Sequence, residues 1–179
     1  GMARAERWVD IAAKERGAGA IASADLSERR IACYGRNAAS GTYGYFKTIV
    51  LEDGDYGNWV NELNGSAAVV QAVSKNPFGI GYSGIGYRTA GVKPLALARS
   101  AHELAVPPLP ANAYNGKYPL ARALYLAVNY NPTRPLDPIQ REFIKYVYSK
   151  QGQRQVVKDG YLPVPAGLAK AALVSVGIR

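Results

Sequence analysis

A glycine-rich apolar run, PFGIGYSGIGY, occupies residues 77–87 and follows a segment with helical periodicity. Strand interiors seldom hold so many glycines, because each glycine costs backbone entropy and offers no side chain to pack. We therefore predict a strand whose backbone lies at close range against another element. Helical and strand patterns alternate along the rest of the chain, which is typical of an α/β fold.

The same patterns place the individual elements. Helices are predicted at residues 3–16, 41–51, 66–75, 137–150, 152–159 and 167–176. Strands are predicted at residues 30–34, 77–87, 92–98 and 122–129, with irregular chain at 52–59 and 104–119. The residues expected on buried helix faces are Tyr45, Phe46, Ile49 and Val50 in the helix at 41–51, and Ile139, Phe143, Ile144 and Val147 in the helix at 137–150.

The length and charge of the chain restrict its function. A chain of 179 residues is enough for one α/β domain, predicted here over residues 1–179. The net charge of +9 comes without basic clusters, since Arg29–Arg30 is the only adjacent basic pair, so no nucleic-acid partner is predicted. No run approaches roughly 18 apolar residues, so no membrane-spanning segment is expected. This sequence also shows no export signal.

Residues able to carry catalysis or bind metals are few. Cys33 and His102 are the only cysteine and histidine, so neither a disulfide nor a zinc site is expected, and Cys33 is predicted to be a buried, inert thiol. The GxGxxG pattern in residues 79–84 lies within the predicted strand rather than at a strand-to-helix turn. A GxSxG motif around Ser83 fails because position 85 is isoleucine. No catalytic residues, no metal and no cofactor are predicted, and the chain is not expected to be an enzyme.

The stretch YGRNAASGTYGYF, residues 34–46, places an arginine and two hydroxyls where a helix begins. The first N–H groups of a helix lack internal partners, and the helix dipole adds positive potential there. Gly41 permits close approach, Ser40 and Thr42 add hydroxyls, and Arg36 can direct two N–H groups at an oxyanion. Residue types alone leave two interpretations open: a small-anion site, or an ordinary helix cap beside a surface arginine.

Four stretches together resemble the phosphate-binding proteins of bacterial phosphate ABC transporters, in the type II periplasmic-binding-protein superfamily. They are YGRNAASGTYGYF, GSAAVVQAVSKNPFGIGYSGIGY, YPLARALYLAVN and EFIKYVYSKQGQRQVVKDGYLPVP. The resemblance runs from about Trp8 to Pro165. It implies a three-layer lobe with a mixed sheet flanked by helices, and phosphate contacts from Arg36, Ser40, Gly41 and Thr42. By the same resemblance the protein is the periplasmic or extracytoplasmic solute-binding component that partners an ABC permease.

The chain also departs from that family. Many relatives have an acidic residue two positions after the arginine, which helps orient it, and a glycine before the serine; Ala38 and Ala39 stand there instead. The match covers the second lobe and C-terminal segment only, so the first lobe is expected to be absent and the site to be half of a clamp. An exposed cleft face then predicts a homodimer. The alternative is a truncated relative outside transport that acts as an interaction or oligomerising protein.

Overall fold

The computed structural model describes residues 30–178 of the chain. These residues belong to two units, of which the first ends at Lys93 and the second begins at Pro94. Each unit is described by itself below, and the expectation of a single domain over residues 1–179 stays a prediction. The helix predicted at residues 3–16 lies outside the described residues.

The first unit is built on three parallel strands in the order β2-β1-β3, with β1 in the centre. Arg36 pairs with Leu63 of β2, and Ala32 pairs with Gly79 of β3. Because all three strands run the same way, their carboxyl ends lie along one edge of the sheet. Over residues 30–93 the elements of this unit are β1 (Ala32–Arg36), α1 (Gly41–Val50), β2 (Val60–Leu63), α2 (Ser66–Lys75), β3 (Gly79–Gly81) and a 3-10 turn (Ile85–Tyr87).

The two helices described in this unit cover opposite faces of the sheet. On one face, the hydroxyl of Tyr34 accepts a hydrogen bond from Asn76, directly after α2, at 3.0 Å. Side chains alternate along a strand, so neighbouring Gly35 faces the other side, where it meets the ring of Tyr82. That ring stacks on Phe46 of α1 at a centroid separation of 4.1 Å. The α/β class, with a sheet flanked by helices, is therefore confirmed, and all strand pairs of the described sheet are parallel.

The close backbone approach predicted for the glycine-rich run is confirmed at Gly81. A Cβ atom placed there would lie 2.8 Å from the Tyr34 carbonyl oxygen and 3.0 Å from side-chain carbons of both Val69 and Val73 in α2. Val69 is 1% exposed and forms the centre of this core. The strand itself is shorter than predicted, because the chain leaves the ladder after Gly81 and turns at Ile85–Tyr87.

The second unit contains four helices among its described residues. They are α3 (Pro110–Tyr114), α4 (Pro138–Tyr148), α5 (Lys150–Lys158) and α6 (Ala166–Ser175). Asp137 caps α4 by accepting from the N–H groups of Ile139 and Gln140, and Ser149 caps α5 by accepting from that of Gly152. Pro138 occupies the first turn of α4, as its fixed φ angle favours.

Two strand predictions are wrong, and both fall in or across the start of this unit. Residues 92–98 form only an isolated antiparallel bridge between Leu97 and Val106, and Pro94 has no N–H to donate to a ladder. Residues 122–129 pair with no strand among the described residues, and Tyr125 is 91% exposed. Alternating apolar residues show that a segment could lie in a sheet. The segment forms a strand only if a neighbouring strand is there to share backbone hydrogen bonds.

The predicted buried helix faces are only partly correct. Ile49 and Val50 at the end of α1 are 49% and 37% exposed, whereas Tyr45 and Phe46 are half-buried. On α4, Ile144 is buried at 3% exposure, but Ile139 is 80% exposed. Both helices form where the apolar spacing predicted them. The prediction overstated how much of each apolar stripe another element covers.

Candidate functional site

The residues singled out from the sequence lie at the carboxyl edge of the sheet. Arg36 is the last residue of β1, and Ser40, Gly41 and Thr42 form the start of α1 four residues later. The chain that follows β1 returns to the sheet as β2, on one side of β1. The chain that follows β2 returns as β3, on the other side of β1, so the direction of strand addition reverses at β1. Ligands of open α/β sheets bind outside the strand carboxyl ends at such reversals.

Ser40 acts as the N-cap of α1. Its backbone is extended, and its side-chain oxygen accepts a hydrogen bond from the Thr42 N–H at 3.1 Å. A hydroxyl that accepts one bond still has its own hydrogen to donate. The ordinary cap therefore exists, and it leaves the Ser40 O–H able to bind an anion at the positive end of the helix.

Arg36 extends to the other helix of this edge. Its Nη1 donates to the Oγ of Ser66, the first residue of α2, at 2.8 Å. Strand alternation accounts for this, since Arg36 lies on the same face as Tyr34, which contacts the far end of α2. The structure thus joins Ser40 to Thr42 through the cap and joins Arg36 to Ser66 across the sheet edge.

The guanidinium of Arg36 is incompletely bonded. Its Nε is buried and has no hydrogen-bond partner. Among residues 30–178, the recorded ion pairs are Lys47 with Asp55 and Lys145 with Glu142, so no described carboxylate neutralises Arg36. A buried donor without a partner is uncommon in native proteins, and an ion that binds there is one explanation.

Four aromatic rings support this edge from the α1 side. Tyr43 packs on Tyr56 at 4.3 Å between centroids, and Phe46 stacks on Tyr82 at 4.1 Å. The Tyr82 hydroxyl donates to the carbonyl oxygen of Arg36 at 3.3 Å, and the Tyr56 hydroxyl donates to that of Tyr43 at 2.9 Å. The rings therefore fix the backbone on both sides of the Arg36–Ser40 loop.

Burial changes the acidity of several groups near the sheet. It raises the pKa of Tyr56 and also that of Tyr82. Burial likewise raises the pKa of the Cys33 thiol on β1. Cys33 is half-buried rather than buried as predicted, and a raised thiol pKa reduces the thiolate fraction and with it reactivity.

The other candidate chemistries find no support in the described part of the chain. No group of three or more His, Cys, Asp or Glu side chains among residues 30–178 could hold a metal ion. The Ser83 hydroxyl donates to the carbonyl oxygen of Ser66 at 3.1 Å. Nor does any helix within those residues have the length and apolar character needed to cross a membrane.

Ser66 is the residue of this site that the sequence analysis missed. It was assigned only to a helix start, because the preceding strand β2 had not been predicted. The segment WVNELNGS, residues 59–66, held the signal: Val60 and Leu63 are apolar, and Asn-Gly-Ser then starts a helix. A helix that begins after a parallel strand starts at the edge where Arg36 ends.

Comparison with known proteins decides the family. A model of the PBP superfamily domain matches residues 3–151. The chain belongs to the PBP superfamily. It is 51% identical over 154 residues to the phosphate-binding protein PstS of Pseudomonas aeruginosa, covering 86% of this chain and 48% of that protein. It is 26% identical over 173 residues to PstS of Staphylococcus aureus, covering 95% of this chain and 48% of that one.

Solved structures of this superfamily share the fold. The chain resembles a possible phosphate-binding protein from Planctomyces limnophilus with a TM-score of 0.62 at 19% identity, over 98% of this chain and 59% of the other. A putative phosphate ABC transporter substrate-binding protein from Clostridium perfringens, solved with bound phosphate, gives a TM-score of 0.56 at 25% identity, over 76% and 53%. The resemblance seen in the sequence motifs is thus confirmed.

The chain spans about half the length of the curated relatives it matches, with 48% of the Pseudomonas protein covered. The names of these relatives describe binding proteins. What the whole relatives bind is therefore considered for this chain only as a proposal.

Proposed function

We propose that this chain binds inorganic phosphate, or a similar tetrahedral oxyanion, as the solute-binding component of an ABC-type phosphate uptake system. The observation that carries the proposal is the Arg36 guanidinium, which has a buried, unpartnered Nε and no described carboxylate to neutralise it. This charge stands where two helices begin, and both helix dipoles favour a bound anion there.

Each site residue has a distinct part in this proposal. Arg36 supplies a planar fork of N–H donors, which matches the oxygen spacing of a tetrahedral oxyanion. Ser40 and Thr42 supply hydroxyl hydrogens, and Gly41 leaves room for an oxygen to approach the first N–H groups of α1. All four can offer an N–H or O–H group to an anion, so the edge is suited to recognising negative charge.

The relatives support the cellular setting of this proposal. Pseudomonas PstS is named a phosphate-binding protein, and a structural neighbour from Vibrio cholerae is described as an ABC-type phosphate transport receptor. We accordingly propose a periplasmic or extracytoplasmic location, a transporter permease as partner and no catalytic activity.

Isothermal titration calorimetry with phosphate, sulfate and buffer alone tests the proposal. Arg36→Ala should weaken phosphate binding by about 10-fold to 100-fold, the usual effect of losing a hydrogen bond to a charged group. Arg88→Ala is the matched control, because it removes an exposed arginine of the same unit. Absence of heat at millimolar phosphate, or equal losses in the two variants, contradicts the proposal.

A second function is supported by a different observation in the second unit. Leu104 is 92% exposed, Tyr125 91% and Leu124 71%. An interaction or oligomerising role would use these exposed apolar side chains, and homodimerisation is the simplest form. Sedimentation equilibrium decides it: a dimer that Tyr125→Lys dissociates favours this role, and a monomer at all concentrations excludes it.

A further inference from the structure

We infer that Ser66 is the positioning residue of Arg36: its neutral hydroxyl orients the guanidinium without reducing its charge. The inference rests on the proposed function, since it names what prepares that anion site. Ser66 acts through Arg36 and is given no contact with the anion.

Geometry is the first support for this role. The Nη1 of Arg36 lies 2.8 Å from the Oγ of Ser66, and Ser66 is 7% exposed. It is the one buried polar or charged residue among residues 30–178. Burying a hydroxyl is costly unless it is hydrogen-bonded, so the pairing with Arg36 gives this serine its stabilising partner.

Ser66 is itself held firmly in place. Its carbonyl oxygen accepts from the Ser83 hydroxyl at 3.1 Å, and its Oγ lies 3.5 Å from the Gly84 N–H. Its backbone begins α2, whose next turn contains the buried Val69. Three segments therefore meet at Ser66: the end of β1, the start of α2 and the chain that follows β3. An acceptor with so little freedom can fix the direction of a long side chain.

The neutrality of the acceptor determines what Arg36 can do. A carboxylate at this place would hold the guanidinium more strongly and would also cancel its charge. A hydroxyl accepts one N–H and leaves the full positive charge for an incoming anion. Ala38, two residues after Arg36, is exposed and offers no acceptor of its own, so Ser66 carries this task at the described edge.

The first experiment reads Arg36 in the ligand-free protein, so it does not depend on phosphate binding. The Nε–Hε signal of Arg36 is assigned by nitrogen-15 NMR through its loss in Arg36→Lys, and its exchange with water is measured. Ser66→Ala should speed this exchange about tenfold, while Ser66→Thr, which keeps the hydroxyl, should leave it nearly unchanged. Equal exchange in all three proteins overturns the inference.

The second experiment measures phosphate affinity in a double-mutant cycle. Ser66→Ala should weaken binding about tenfold in the wild-type chain and have no further effect in the Arg36→Ala background. A loss of the same size in both backgrounds shows that Ser66 does not act through Arg36, and it overturns the inference. If the wild-type chain binds no phosphate, the proposed function fails and the exchange measurement alone decides the role of Ser66.

Two further variants guard against misfolding and separate geometry from charge. Ser66→Cys fills nearly the same volume with a weak acceptor, so it should reproduce the loss seen with Ser66→Ala without leaving a cavity. Ser66→Asp should keep Arg36 ordered, with slow Nε exchange, yet weaken phosphate binding because the carboxylate neutralises the guanidinium. Tighter phosphate binding in Ser66→Asp contradicts the claim that neutrality matters.

Discussion

Single residues at the sheet edge combine a structural role with the binding role proposed above. Ser40 shows this most clearly, because one side of its hydroxyl closes the first turn of α1 and the other side is free to donate. Arg36 likewise supports the Tyr82 hydroxyl through its carbonyl while its side chain crosses to α2. Mutations here should therefore alter stability and binding together, and controls must separate the two.

Ser40→Ala should lower the free energy of unfolding by about 1 kcal/mol, because the Thr42 N–H loses its cap acceptor. The same change should weaken phosphate binding, since a hydroxyl donor is lost. Ser149→Ala is the control, as Ser149 caps α5 in the second unit in the same manner. Urea unfolding and calorimetry should show similar destabilisation for both variants but weaker binding only for Ser40→Ala; unchanged affinity in Ser40→Ala would count against its ligand role.

Among the elements, the glycines of the sheet and of α1 are under opposite constraints. Gly81 lies in β3 with backbone and α2 side chains within van der Waals distance of the missing Cβ. Gly44 lies in the interior of α1, where an added Cβ meets nothing within 4 Å. Position 81 needs glycine because there is no room for a side chain. At position 44 glycine only lowers the helix propensity.

Gly81→Ala should destabilise the protein by about 1–3 kcal/mol, because the new methyl overlaps the Tyr34 carbonyl and the two valines of α2. Gly44→Ala should stabilise it by about 0.5–1 kcal/mol, as expected for the same exchange inside an exposed helix. Thermal and urea unfolding measure both changes. Destabilisation by Gly44→Ala of similar size would refute the packing argument for Gly81.

The sequence predicted an element well when the residues that determine it are neighbours in the sequence. Helices with caps were placed to within about two residues, since Ser40 and Asp137 mark their starts within the sequence itself, whereas Ser149 was placed inside the preceding predicted helix. The strand β2 was missed because VNEL is short and half polar, and its parallel pairing with β1 appears only in three dimensions. The Arg36–Ser66 contact spans 30 residues of sequence for the same reason.

At the scale of the whole molecule, tyrosines couple stability to alkaline pH in both units. Burial raises the pKa of Tyr56 and Tyr82 in the first unit and of Tyr118 in the second. These side chains keep their protons in the folded state at a pH where the unfolded chain has lost them. The folded state then binds more protons, so the free energy of unfolding falls as the pH rises.

We expect stability to be level through neutral pH and to decline above about pH 10, where tyrosines of the unfolded chain ionise. Urea unfolding across an alkaline series measures the slope. Tyr56→Phe should make that slope shallower, because one group with a raised pKa is removed, and exposed Tyr125→Phe is the control. An equal slope in wild type and Tyr56→Phe would contradict the assignment.

The central position of β1 also affects how the chain assembles during synthesis. Both of its partners, β2 and β3, lie later in the sequence, so β1 is synthesised before either strand. At synthesis rates of about 5–20 residues per second, its two edges stay unpaired for a time on the order of seconds. Free strand edges are templates for aggregation. The strand that carries Arg36 therefore keeps two unpaired edges until β2 and β3 have been made.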